Sequence, residues 1–503
     1  MRTDAGPVRG TVMADHRTFQ AIPYAAPPEG ELRWRSPQPP QPWTTVRDAT
    51  KPGHACAQAP NDLAGVPGSA FEDCLHLNVT TPRWPRHTTH RTGTARAHNL
   101  RPVMVYLHGG GFVSGANHHY NATRLAVEGD IVVVSVNYRL GVFGFFAHPD
   151  LPGSGAFGIG PAGRTSLGTP QCRCLRRRPR QGDALRAVRG RAEHVRSAHF
   201  SHRQGLFQQA ILQSGSCGIH WPKNGYGAGS PVISPWGPPQ EVHELARLYT
   251  TGHGCDTVDC LRKIPAAGER GLLADPLSSL FSRPVYGTSV LPEHPAKALA
   301  GGRFHKVPVM NGHTRDEHRL MIAWTYDPLI TAEQYRELIT DSFGNDAPQV
   351  AARYPLASFA SPSEAWSAIA TDSGWACPTL ADDRHLAKRT TLYGFEFADR
   401  TAPWIYPEPP PFPLGAYHAS ELPYLFPDPK ITPNSAQRRL SKTMIGYWAR
   451  FAHTGTPNAP GSPQWTRLTS SAATVQSLSP EPGGVRPTDL GVRHNCDLWQ
   501  SLS

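Results

Sequence analysis

Three groups of residues in this 503-residue sequence have types and spacing suited to chemistry. The first is His108-Gly109-Gly110-Gly111-Phe112, directly after the apolar run Val103-Met104-Val105-Tyr106-Leu107. Consecutive glycines after a strand let backbone N–H groups turn toward one point without side-chain obstruction. Such donors suit a reaction in which negative charge grows on an oxygen, as in the tetrahedral intermediate of ester hydrolysis. The second group is Cys172-Arg173-Cys174 and the arginines around it, a pattern that could bind a metal or RNA. It has no matching second cysteine pair, so that reading is set aside. The third is His87, His90 and His98 in the basic stretch from Pro82 to Arg101, for which a solvated hairpin loop is the simpler reading.

The glycine turn needs a buried strand behind it, and the sequence supplies several. Val103 to Leu107 and Ile131 to Val136 are apolar, β-branched runs suited to strands buried on both faces, as at the centre of a mostly parallel sheet. Gln209 to Ser214 and Lys306 to Met310 resemble them. Helical patterns such as Pro239 to Thr250 and Thr331 to Ser342 lie between, giving an alternating α/β plan. No internal repeat is visible, and the chain reads as one domain over 1–503. The composition, 39% hydrophobic and 18% charged, suits a globular protein with a sizeable core. No run of eighteen apolar residues is present to span a membrane.

The net charge of +11 raises nucleic-acid binding, so its origin matters. Residues 161–204 hold eleven Arg, no Lys, one Asp and one Glu, a net +9. The rest of the chain holds 39 basic and 37 acidic residues, a net +2. The excess sits in one anomalous stretch rather than on a face of the fold, and no nucleic-acid partner is expected.

His-Gly-Gly-Gly after a strand is the oxyanion-hole pattern of lipases and esterases. Further stretches resemble the carboxylesterase type B (cholinesterase-like) family of α/β-hydrolases. They are Phe19 to Pro28 with Leu32-Arg33-Trp34, Glu72 to Val79, Asn137 to Gly141, Trp448 to Ala452 and Thr454 to Asn458. These run in family order over nearly the whole chain. The resemblance implies an α/β-hydrolase fold, a central mostly parallel sheet flanked by helices, and hydrolysis of small-molecule carboxylic esters. It implies no metal and no organic cofactor. The family's triad runs Ser–Glu–His along the chain. Its acid maps to Glu317 in Gly312 to His318, where His318 stands in place of the usual Gly. Its histidine maps to His418 in Gly415 to Pro423. Gly110 and Gly111 would be oxyanion donors, with a third from the residue after the nucleophile. Cys56–Cys74 and Cys255–Cys260 match the family's disulfide positions. Disulfides would indicate an oxidising compartment and a secreted protein. Met1 to Gly10 has no signal-peptide character, so a cytoplasmic protein with free thiols, or a start downstream of a lost leader, stays open.

One part is missing. The fold needs its serine on a sharp Gly-x-Ser-x-Gly turn after a central strand. No Ser in this sequence has Gly at both required offsets. Ser216, in Ser214-Gly215-Ser216-Cys217-Gly218, comes nearest but follows the wrong strand. The elbow belongs between Gly158 and Gly205, where the Arg-rich stretch 161–204 stands instead, without an apolar strand. Filling a central slot with it would bury unpaired guanidinium groups. A reading-frame slip near Gly160, restored near Gln204, accounts for both anomalies. Codons compatible with Leu167 to Arg191, read one nucleotide later, admit WVRRNAAAFGGDPGRVTLFGQSAGG. That run contains a helix, a strand and the elbow, with the serine codon straddling Val188 and Arg189. As written, the chain is expected to be inactive or impaired; the alternative is a non-catalytic cholinesterase-like binding protein.

Overall fold

The structure, a computed structural model, describes residues 1–83, 101–151, 155 and 207–502, with the backbone of 188–189. The loop reading of His87, His90 and His98 therefore lies outside the described residues. So does most of 161–204.

Thirteen strands are seen among the described residues. In chain order they are β1 (Val8–Arg9), β2 (Thr11–Val12), β3 (His16–Pro23), β4 (Arg47–Asp48), β5 (His76–Pro82), β6 (Val103–Leu107) and β7 (Val132–Val136). Then come β8 (Val188–Arg189), β9 (Ala210–Gln213), β10 (Val309–Thr314), β11 (Leu392–Phe397), β12 (Thr474–Leu478) and β13 (Val485–Asp489). Strands β1 and β4 form a small separate pair. The other eleven form one sheet in the order β13-β12-β11-β10-β9-β8-β6-β7-β5-β3-β2. From β7 across to β12 every neighbour is parallel. The antiparallel pairs lie at the two edges.

The apolar runs form central strands because both faces find a core. On β6, Met104 and Tyr106 join one cluster while Val103 and Val105 join another on the opposite face. The helix Ser435–Thr454 covers the first face with Leu440, Met444, Ile445, Trp448 and Phe451. Its start is fixed by a capping box between Asn434 and Gln437, and it ends at Gly455, whose φ of 75° suits glycine. Helices Pro239–Gly252 and Ala332–Phe343 occupy the stretches with helical periodicity. The expected strand at Lys306 to Met310 instead starts at Val309 and runs to Thr314. Its polar second half, Asn311 to Thr314, is buried.

The central slot corrects one expectation. Nothing in 161–204 was expected to fill it, yet Val188–Arg189 pairs in parallel with Val105–Tyr106 on one side and Ala210–Ile211 on the other. The flanking strands present N–H and C=O groups that must be paired once buried. Any sequence can supply main-chain partners, so an apolar signal was not required. The strand is only two residues long.

Among the described residues three disulfides are present: Cys56–Cys74, Cys255–Cys260 and Cys377–Cys496, with separations of 18, 5 and 119 residues. The third was not anticipated. It ties the last helix, Cys496–Ser501, to the start of the helix Cys377–Ala387. A link spanning about 100 residues removes much unfolded-chain freedom, on the order of 4–5 kcal/mol. Replacing Cys377 and Cys496 together by Ala should therefore lower the urea midpoint of the oxidised protein, by about 4 kcal/mol in unfolding free energy. An unchanged midpoint would contradict a structural role for this link.

Candidate active site

All strands from β6 to β11 run the same way, so their C-terminal ends share one edge. In open α/β sheets that edge is where ligands bind. The glycine loop follows β6 there, Glu317 follows β10, and His418 lies beyond β11.

The glycine loop is held from both sides. Tyr138 donates its hydroxyl to the His108 carbonyl at 2.7 Å, and the two rings stack 4.5 Å apart. Val113 and Ser114 N–H groups close on the Gly110 carbonyl at 3.1 and 3.0 Å. Gly110 has φ of 118°, and a Cβ there would sit 1.9 Å from the Ser114 carbonyl oxygen. Only glycine fits. Among the described residues, Gly111, at φ 62°, has Val113 Cγ2 at 4.0 Å as the nearest atom to the position of its absent Cβ.

Glu317 is completely buried. Its Oε2 lies 2.5 Å from His418 Nδ1. Its Oε1 accepts the Thr314 N–H at 2.9 Å and the Ser214 hydroxyl at 2.5 Å. Burial alone would push this carboxyl upward, but the charge and hydrogen bond of His418, with help from Ser214, hold it down at about 2. An ionised carboxylate only accepts, so His418 carries its proton on Nδ1, leaving Nε2 as the basic nitrogen.

What brings His418 to Glu317 is the residue next to the acid. Asp316 exchanges backbone contacts with Ala416: its N–H donates to the Ala416 carbonyl, and its carboxylate accepts the Ala416 N–H, each at 2.9 Å. Arg400 and Arg319 hold the same carboxylate. Gly415, at φ 61°, passes so close that a Cβ would lie 2.4 Å from Asp316 Oδ2. The glycine of the Gly-x-x-His stretch is thus a close-approach glycine. Behind the histidine, Glu421 accepts from Gln213 at 2.6 Å, and Gln213 accepts from the Trp448 indole at 2.8 Å.

Ser216 is otherwise engaged. Its hydroxyl donates to Asp382 Oδ2 at 2.6 Å, on the helix Cys377–Ala387 that packs against β10 and β11. Burial raises Asp382 to about 6. Sequence reasoning missed Ser214 as a partner of the acid. It also missed Trp375, whose ring centroid lies 5.2 Å from that of His418. Neither carries a spacing signal. Trp375 sits in a π-helical turn, Asp372–Ala376, of a kind frequent at functional sites. Residues near the C-terminus clamp that turn at both ends. Cys496 bonds to Cys377, and His494 Nδ1 meets Asp372 while its Nε2 meets Glu396 at 2.7 Å.

A carboxylesterase family model matches residues 1–159 and 192–499. The chain belongs to the carboxylesterase family. Of the unmatched residues 160–191, all but Gly160 belong to the Arg-rich stretch. The rat pyrethroid hydrolase Ces2e is 30% identical, over 93% of this chain and 84% of its own length. The para-nitrobenzyl esterase of Bacillus subtilis is 28% identical, over 91% of this chain and 90% of its own. The solved structure of a thermophilic PNB esterase superposes with a TM-score of 0.76 at 25% identity, covering 99% of both chains. This is an α/β-hydrolase fold, and the protein is a carboxylic ester hydrolase by family. Among the described residues no helix is long and apolar enough to cross a membrane.

The clamp on the π turn titrates. Burial would lower His494, but Asp372 and Glu396 outweigh it and hold it up at about 10. The folded state therefore keeps a proton that the unfolded chain releases from its ordinary 6.5 upward. His494 contributes stability that is complete below pH 6.5 and is lost as pH rises toward 10. The unfolding temperature should fall between pH 6.5 and about 9, with a flatter slope in His494→Gln. Equal slopes in the two proteins would contradict this role for His494.

Proposed function

We propose that this chain carries the scaffold and the acid–base half of a serine carboxylesterase, with the nucleophile missing. The observation behind this reading is the contact of His418 Nδ1 with the buried, ionised Glu317 at 2.5 Å. It sits at the strand edge that also bears Gly110 and Gly111. In such a site a serine hydroxyl attacks the ester carbonyl and His418 Nε2 takes its proton. Glu317 holds the imidazole and favours the imidazolium that forms. The N–H groups of Gly110 and Gly111 receive the oxyanion. The tetrahedral intermediate then expels the alcohol, which receives the proton from His418, and water releases the acyl group by the same route in reverse. Each step uses side chains and backbone alone, so no cofactor or metal is called for.

The residues that follow Arg189 on β8 are where the serine turn would stand in this topology. The frame-slip reading places its serine codon across Val188 and Arg189, at β8 itself rather than after it, and the family match breaks off and resumes around the same stretch. We read 1–503 as a single catalytic domain with a small-molecule ester as its substrate. The three disulfides favour a secreted protein.

This chain should hydrolyse p-nitrophenyl esters on the order of a million-fold more slowly than a protein expressed from the frame-restored gene. It should also resist covalent labelling by a fluorophosphonate, which the restored protein should take up at one equivalent. Stoichiometric labelling of the present chain would overturn the proposal.

A further inference from the structure

The residue after the acid departs from the family pattern, and the structure gives it a job. His318 is fully buried. Its Nδ1 lies 3.1 Å from the Trp375 indole nitrogen, and its Nε2 lies 2.8 Å from the Gly225 carbonyl oxygen. An indole N–H can only donate, and a carbonyl can only accept. His318 is therefore neutral, with its proton on Nε2. Burial pushes it down to about 4, which keeps it so over the neutral range.

The indole it holds is the one that leans on His418, centroid to centroid 5.2 Å at a 46° tilt. The same indole meets Trp221 edge-on at 5.8 Å. Gly225 permits the other end of the bridge, because a Cβ there would lie 2.8 Å from the Pro222 carbonyl oxygen. The loop around Gly225 is itself anchored: Asn224, almost fully buried, bonds Asp341 and Ser342 through its side chain and accepts from Tyr326 through its carbonyl. One ring of His418 is thus fixed by Glu317 at Nδ1 and by Trp375 across its face.

We propose that His318 is a positioning residue: by accepting the Trp375 indole N–H, it fixes the indole against the His418 imidazole. Nδ1–H···Glu317 alone leaves the imidazole free to pivot about that bond. The indole removes the freedom. Its ring centroid also lies within the distance at which an aromatic ring attracts a cation, and His418 becomes one when it takes the serine proton. The catalytic meaning of this placement rests on the proposed function, but the placement is measurable without turnover.

The test uses the present chain labelled with 15N-histidine. The Nδ1–H of His418, hydrogen-bonded to a carboxylate, gives a downfield NMR signal that is identified by its absence in His418→Gln. In His318→Leu its exchange with water should rise roughly tenfold, the loss of one buried hydrogen bond. Trp375→Phe keeps a ring but no donor and should behave the same way, and it decides the matter if His318→Leu does not fold. His318→Gln, which retains one acceptor and one donor, should restore the parent signal. Parent-like exchange in Trp375→Phe, with the same unfolding midpoint, would overturn the proposal. Because no ester is turned over, this result is independent of whether the frame-restored protein is an esterase.

Discussion

A carboxylate with no exposed surface is the constraint from which the site follows. Glu317 is ionised in a place water does not reach, and that is stable only when charge and hydrogen bonds replace hydration. Three groups do so: the Thr314 N–H, the Ser214 hydroxyl and the His418 ring. Each arrives from a different strand end, β10, β9 and the segment beyond β11. Their meeting requires those strands to be parallel and adjacent, as they are. The sheet topology is therefore the device that brings Glu317 and His418 together.

The segments around this centre are pinned by their own buried polar groups. Asp316 zips the Ala416 backbone to the acid loop, and Gly415 lets the two approach. His494 and Cys496 hold the π turn that carries Trp375. The chain's end is thus coupled to the active centre through one short turn. Breaking a buried charge pair by removing one partner typically costs about 3–5 kcal/mol. The network around Asp372, His494 and Glu396 is accordingly a structural commitment as well as a support for the site.

Strands with both faces buried were legible because their apolar runs leave no other reading, as at Val103–Leu107 and Val132–Val136. Strand β10 was displaced in the sequence reading because its C-terminal half is polar. Asn311 serves Asp383 and Thr314 serves Glu317, so hydrophobicity fades where function begins. Glu317 and His418 were singled out by the resemblance to the family's acid and histidine stretches, and the structure brings the two together. Ser214, Trp375 and the Cys377–Cys496 link were not singled out, since contacts across 103, 43 and 119 residues leave no local pattern. Val188–Arg189 takes a strand slot by main-chain pairing, which no side-chain periodicity announces.

The chain matches the carboxylesterase family on both sides of residues 160–191, which the family model does not match. The most direct measurement is the nucleotide sequence of the gene from the codon of Gly153 to that of Phe207, read from genomic DNA. The account predicts that the frame one nucleotide later spells an uninterrupted strand and a Gly-x-Ser-x-Gly turn, with its serine codon across Val188 and Arg189. Codons that force other residues in that frame would contradict the slip and leave a natural chain without a nucleophile.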